Sequence, residues 1–398
     1  MSKGASDAYL LNFAESECNH PALSELPNFD AILVIPAYRE AADFLIRLQQ
    51  QSFEGINRLL IILISNHPDN LLDADQEIAL QHHSKLMDVL PNSQWQQDYL
   101  SFHQGGNNID TLVIGRVGSY AIDSKQGVGL ARKIGADIAL ALINQGKSVS
   151  PWVFTSDADC HLPEDYFAQI PPTNSDIAAY IYPYRHIGLE GRLLEATRLY
   201  EKRLSSYVEG LRLANSPYAF QTLGSTLCIS ARHYALARGF PKRSAGEDFY
   251  LLNKLAKLGK IHSLDFPVVE IQARCSDRIP FGTGPAVSSL LESDNLLLEK
   301  VFYAPILFDL LRRFIEVLND DRTEERLDEA SEEIQLAARH INIRTLFQHI
   351  ESQRLSGKQR QEHTHLWFDG FKTLKFLHFL RDNYYPNLSY KQRYSSNS

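Results

Sequence analysis

Residues 151–163 read PWVFTSDADCHLP. Trp152 to Ser156 have the composition of a short buried strand, and the run stops on two carboxylates, Asp157 and Asp159, with Cys160 and His161 behind them. In extended backbone, residues i and i+2 point to one side, so both aspartates can converge on one cation at a strand end. Hard ions such as Mg²⁺ or Mn²⁺ prefer carboxylate oxygen, and Mg²⁺ takes one or two carboxylates together with substrate phosphates. The plain structural alternative is an Asp-rich turn whose side chains bond local backbone.

Three similar apolar runs precede this one: AILVIPAYRE at 31–40, stopped by Pro36, RLLIILISN at 58–66, and TLVIG at 111–115. Helical patterns lie between them, at about 41–51 and at 128–143, where Leu130, Ala131, Ile134, Ile138 and Leu142 have amphipathic spacing. Fully apolar strands alternating with helices predict an α/β fold with a mainly parallel sheet. Ligands of such sheets sit at the carboxyl ends of the strands. PAYRE, SNH and DAD all fall there.

Further on, 176–184 and 225–230 are strand candidates, 189–213 a charged amphipathic helix, Glu247 to Leu258 a helix closed by Gly259, and 266–272 another strand. From about 286 glycine nearly vanishes and helical patterns run to about 382. The expected organisation is an N-terminal extension at 1–28, an α/β domain at 29–285 with a polar insertion at about 67–108, and a helical C-terminal region at 286–398 that packs on that domain or forms a homodimer.

The 398 residues are 44% hydrophobic and 22% charged, which argues against large-scale disorder. A net charge of −8 argues against general nucleic-acid binding. Cys18, Cys160, Cys228 and Cys275 form no CxxC pair and suggest reduced thiols and a cytoplasmic home. The N-terminus lacks the apolar core of a secretory signal, and the longest apolar run, 59–64, is too short to span a bilayer. Any membrane work is expected to be peripheral.

Other stretches carry candidate chemistry. In GEDFYLLNKLAKLG (246–259), Glu247 and Asp248 open a helix. Carboxylates there are favoured by the helix dipole, by about 0.3–1 kcal/mol, which explains them without function. Alternatively one is a general base accepting a proton from an alcohol. In SKQGVGLARKIGAD (124–137), Lys125, Gly127 and Arg132 surround a helix start that would suit an anion, or make only a tight turn. RCSDRIPFGTG (274–284) holds Arg278 in a glycine-rich loop, a phosphate contact or a solvated surface loop. Tyr180, Tyr182 and Tyr184 alternate and are expected in the core or on the sheet surface. His161, His186 and His233 lack zinc-motif partners.

In order, VIPAYRE, KQGVGLARKIGAD, FTSDADCHLP and GSTLCIS…GF…AGEDFYLL resemble the family 2 glycosyltransferases, nucleotide-sugar enzymes of the GT-A fold, and with RCSDRIPFGTG and the long insertion at 67–108 the chain looks like a soluble bacterial branch. The resemblance spans about 29–285. It implies that Pro36, Ala37, Tyr38 and Glu40 cradle the nucleoside, that Asp157 lies near the ribose or metal, and that Asp159 ligates Mg²⁺ or Mn²⁺ bridging the diphosphate. Asp248 would be the base, beside Glu247, in an inverting transfer from a nucleotide-diphosphate sugar to a glycan, lipid-linked or small-molecule hydroxyl. The family usually has Asn where this chain has Arg39, and an Asp at the second strand end, where this chain has Ser65, Asn66 and His67. A UDP-sugar is the default donor, with GDP- and dTDP-sugars open. The competing readings are a nucleotidyltransferase, against which the PAYRE loop lacks glycine and lysine, and a non-catalytic sugar- or nucleotide-binding scaffold.

Overall fold

The apolar runs that read as strands form the middle of a large sheet in the computed structural model, which describes residues 3–171, 176–188, 190–273 and 283–394. The chain divides into two compact units. The first holds residues 1–189 and 222–282, and the second holds 190–221 and 283–398.

In the first unit the strands are β1 (Ala31–Ala37), β2 (Leu59–Asn66), β3 (Ser93–Gln97), β4 (Leu100–His103), β5 (Ile109–Arg116), β6 (Trp152–Thr155), β7 (Cys160–His161), β8 (Ile177–Ile181), β9 (Tyr184–Ile187), β10 (Leu227–Ser230), β11 (Lys260–Ser263) and β12 (Val269–Gln272). Among the described residues, nine of them form one sheet in the order β11-β8-β10-β6-β1-β2-β5-β4-β3. Strands β6, β1, β2 and β5 run parallel, and β10 is antiparallel to both its neighbours. A small second sheet has the order β7-β12-β9. The mixed, mainly parallel sheet flanked by helices that the sequence predicts is present.

The helices are α1 (Lys3–Asn12), α2 (Asp43–Gln50), α3 (Asp73–Asp88), α4 (Gly127–Asn144), α5 (Gly191–Leu213), α6 (Ala231–Leu236) and α7 (Glu247–Leu255), with α5 in the second unit. Leu33 and Ile35 of β1 pack in a core with Phe44, Leu45 and Leu48 of α2. Ile32 and Val34 alternate to the other face, and α4 packs against β1 and β2. Cover on both faces is why these strands read as unbroken apolar runs. Each fully buried Leu or Ile contributes about 1.5–3 kcal/mol.

Pro36 lies inside β1, opposite Ile64, and does not stop the strand. Ser156 N–H donates to the Val34 carbonyl, so Val34 and, by alternation, Pro36 face β6. The β1–β6 pairing covers only Ile32 to Val34, and the missing N–H of Pro36 costs no ladder bond. The polar stretch 67–108 supplies α3 and the β3–β4 hairpin, which extends the sheet by two strands beyond β5.

Residues 3–25 are part of the first unit. The Tyr9 hydroxyl donates to Asp137 Oδ1 (2.7 Å), and the Glu15 N–H to Asp137 Oδ2 (2.8 Å). Lys133 Nζ binds Asp137 Oδ2 (2.7 Å) and the Phe13 carbonyl (2.9 Å). Asp137 is fully buried, and burial raises its carboxyl above the ordinary value against the pull of Lys133.

The second unit is mostly helical. It contains α5, α8 (Thr283–Leu291), α9 (Pro305–Asn319), α10 (Thr323–Asp328), α11 (Glu332–His340), α12 (Arg344–Gln353), α13 (Gly357–Trp367) and α14 (Gly370–Asn383). Its core gathers Leu211 of α5 with Leu307, Leu311 and Phe314 of α9 and Phe376, Leu377 and Leu380 of α14. Phe314 and Phe376 stack with ring centroids 4.5 Å apart. Among the described residues no helix is long and apolar enough to cross a membrane.

Candidate functional site

Because β1, β2 and β6 are parallel neighbours, the segments after them lie along one edge of the sheet. Pro36 and Ala37 end β1, with Tyr38, Arg39 and Glu40 following. Helix α3 covers this loop. Arg39 adopts a left-handed backbone and pairs with Asp75 (2.5 Å), and His82 Nδ1 lies 3.1 Å from the Glu40 carbonyl oxygen. At the end of β2, Ser65 Oγ lies 2.9 Å from Nδ1 of His83, also on α3. His67 accepts a hydrogen bond from the Gly118 N–H (2.9 Å). The polar insertion therefore supplies residues to the edge where the sequence concentrates its chemistry, and the adjacent His82 and His83 within it were the available signal.

Asp157 and Asp159 stand in a turn, since β6 ends at Thr155 and Cys160 N–H bonds back to the Asp157 carbonyl (3.1 Å). Strand alternation therefore does not set their directions. Both are half-buried. Asp157 Oδ1 accepts from Arg132 Nη2 at 2.6 Å, and Asp159 Oδ1 lies 3.9 Å from Cys160 Sγ.

Arg132 is the hub of the site. It projects from α4, is 3% exposed, and donates through Nε to Glu247 Oε1 at 2.8 Å. One guanidinium thus joins the turn after β6 to the first residue of α7. Burial alone would make Arg132 easier to deprotonate, but Asp157, Glu247 and Asp248 outweigh it and hold the proton more tightly than usual. The sequence placed Arg132 by a helix start suited to an anion or to a tight turn only; in the fold its guanidinium is engaged by two carboxylates.

Asp248 follows Glu247 on α7, after Gly246 in a left-handed cap conformation. Its Oδ2 accepts from the Gly224 N–H (2.8 Å), and its Oδ1 from the Phe249 N–H (2.7 Å). Burial pushes its carboxyl up to about 7, and the neighbouring Glu247 charge adds to the shift. A carboxyl poised near neutrality can accept a proton from an alcohol at physiological pH.

The other predicted residues divide. Lys125 is exposed in the loop before α4, where its N–H bonds Asp123 Oδ1 (2.8 Å). Gly127 and Gly129 pack against the chain itself. A Cβ on Gly127 would lie 2.7 Å from Ser244 Cα, and one on Gly129 would lie 2.4 Å from the Pro241 oxygen. Their close-approach space is taken by residues 241–244, which is the tight-turn alternative of the sequence. Arg278 and its loop lie outside the described residues. Tyr180 and Tyr182 are buried and Tyr184 packs against the same core. The Tyr182 hydroxyl donates to the Tyr166 carbonyl (2.7 Å).

The turn after β6 offers hard oxygen donors, and Asp157 already accepts from Arg132 on one oxygen. Among the described residues no three His, Cys, Asp or Glu side chains gather as a metal cage. Such a pair fits a divalent cation that keeps phosphate oxygens and waters as its remaining ligands.

The chain matches no protein-family model and no curated protein. Among solved structures it is similar to a mannosyltransferase from Pyrobaculum calidifontis, in complex with GDP-Man and Mn²⁺, at 12% identity and a TM-score of 0.35, covering 96% of both chains. It is also similar to GalNAc-T7 with UDP, GalNAc and Mn²⁺, at 13% identity and a TM-score of 0.37, covering 96% of this chain and 64% of that one.

Proposed function

We propose that this chain is an inverting, metal-dependent glycosyltransferase of the GT-A fold, moving a sugar from a nucleotide-diphosphate sugar to a hydroxyl acceptor. The observation that carries the reading is the Asp157–Arg132–Glu247 bridge. It joins, across 115 residues of sequence separation between Arg132 and Glu247, a strand-end carboxylate pair and a helix-start carboxylate pair. Two acidic pairs with different environments suit two tasks, cation binding and proton transfer.

In this reading Asp159, with Asp157 beside it, holds Mg²⁺ or Mn²⁺ at the donor diphosphate. A bound cation supplies positive charge to the departing nucleoside diphosphate. Asp248 takes the proton of the acceptor hydroxyl as that oxygen attacks the anomeric carbon opposite the leaving group. The N–H groups of Gly224 and Phe249 fix the direction of the Asp248 carboxylate. Pro36, Ala37, Tyr38 and Glu40, at the end of the neighbouring strand, border the nucleoside.

Calorimetric titration of UDP-, GDP- and dTDP-sugars into the folded protein, with and without Mn²⁺, tests the reading. Metal-dependent binding of one donor that Asp159→Ala abolishes is the expected result. A folded wild-type protein that binds none of the three overturns it.

A further inference from the structure

We propose that Gly224 is a positioning residue for Asp248, and that a glycine is needed there because Arg132 lies against its α-carbon. This rests on the reading of Asp248 as the base. Residue 224 is held on three sides. Its N–H donates to Asp248 Oδ2 at 2.8 Å. Its carbonyl accepts from the Thr155 hydroxyl at 2.5 Å, which ties it to the last residue of β6. A Cβ built on it would fall 2.8 Å from Arg132 Nη2 and 2.9 Å from both Cζ and Nε.

Those three atoms belong to the guanidinium plane that joins Asp157 to Glu247. One residue therefore touches the strand that leads to the metal-binding turn, the cation that links both acidic pairs, and the carboxylate that would take the proton. Asp248 Oδ1 is fixed independently by the Phe249 N–H. With both oxygens anchored, the carboxylate cannot rotate, and its remaining lone pairs keep one direction. Positioning of this kind matters because a misplacement of about 1 Å can cost about 100-fold in rate.

The requirement for glycine is steric and not conformational. Gly224 is absent from the chain's left-handed glycines, so alanine suits its backbone. What alanine adds is a methyl group against a buried guanidinium that is pinned by two carboxylates. Either the guanidinium withdraws from Glu247 and Asp157, or the 224 backbone lifts and its N–H leaves Asp248. Both routes change the surroundings of Asp248, which faces Glu247 on its own helix and Arg132 from α4, with Asp157 beyond the guanidinium.

The test uses the full chain with Gly224→Ala, Arg132→Lys and both together. Lysine keeps the charge but lacks the planar fork, leaving room for the added methyl. Two readouts are followed: donor-dependent turnover with Mn²⁺, and the pH titration of the Asp248 carboxyl by carbon NMR of aspartate-labelled protein. Gly224→Ala is expected to lower kcat about 10- to 100-fold, with KM for the donor changed less than about twofold. Loss of a hydrogen bond to the ionised carboxylate is expected to raise the Asp248 midpoint. In the double variant the two losses are expected to be non-additive, because the methyl group has lost its obstacle.

Wild-type kcat and an unmoved Asp248 midpoint in a folded Gly224→Ala protein overturn the proposal. So do losses that add in the double variant. If the wild-type protein turns over no nucleotide sugar, the functional reading fails, and the NMR titration still decides whether residue 224 controls the state of Asp248.

Discussion

Replacing Arg132 by methionine should destabilise the first unit strongly, by an amount set by what the guanidinium leaves behind. Arg132 and Glu247 have side chains only 4% and 6% exposed, and they meet at 2.8 Å. Removing one partner of a buried ion pair costs about 3–5 kcal/mol, because the other charge is left uncompensated. The contact with Asp157 counts for less. That side chain is 35% exposed, and water can replace its partner at a cost of at most about 1 kcal/mol. The expected loss for Arg132→Met is therefore about 3–5 kcal/mol, nearly all of it traceable to Glu247. Equilibrium urea denaturation measures it, with Trp152 of β6 reporting on the first unit. Attribution comes from Arg132→Met combined with Glu247→Leu. Removing both charges leaves no buried charge unpaired, only the half-exposed Asp157 that water can solvate, so the double variant should be more stable than Arg132→Met alone, with a coupling of about 2 kcal/mol. A loss below about 1 kcal/mol for the single variant, or strict additivity, would refute the claim that a buried bridge joins the two acidic pairs.

Asp248, with its carboxyl raised to about 7, gives a pH prediction with a definite sign. The fold favours its neutral form, so its stabilising contribution is complete below the ordinary value of 3.8 and is lost as pH rises through about 7. Asp248→Asn should flatten the fall in urea midpoint over that window, whereas turnover by the wild-type chain should rise through about pH 7 as the base ionises. Tyr9→Phe removes a hydroxyl that donates to fully buried Asp137 and accepts from Lys133, and should cost about 1–3 kcal/mol, with faster hydrogen exchange over residues 3–15. Unchanged exchange there would mean that Tyr9 does not fasten this segment. In the second unit, a Cβ on Gly210 of α5 would fall 2.4 Å from the Phe308 ring of α9. Gly210→Ala should therefore cost about 1–3 kcal/mol in thermal or urea unfolding, against the usual gain from alanine in a helix.

The central strands were legible because burial on both faces writes a continuous apolar word. LLIILI in β2 has no exposed residue. The edge strands were not. SQWQQ of β3 is largely exposed and KIHS of β11 is mostly polar, so their pairing depends on backbone hydrogen bonds that composition does not record. The candidate carboxylates could be picked out by residue type and local spacing, while the roles assigned to them came from the family resemblance. Their connection could not be picked out. Arg132 meets Glu247 through tertiary packing, and only the fold turns an arginine suited to phosphate into an internal bridge. Gly127 and Gly129 make the same point, since a glycine that admits a phosphate and one that admits a neighbouring backbone read alike until the neighbour is known. Gly224 opens the GSTLCIS motif, but its role was not legible there, because it lies in its N–H and in an absent methyl group.

The central claim is that Asp248 removes the acceptor's proton in a metal-dependent sugar transfer. The most direct test is nucleoside diphosphate release from the donor that binds, in the presence of Mn²⁺, by the wild-type chain and by Asp248→Asn. The account predicts turnover that falls about 100- to 10,000-fold in the variant while donor affinity stays the same. An Asp248→Asn protein that turns over as fast as the wild type would contradict it.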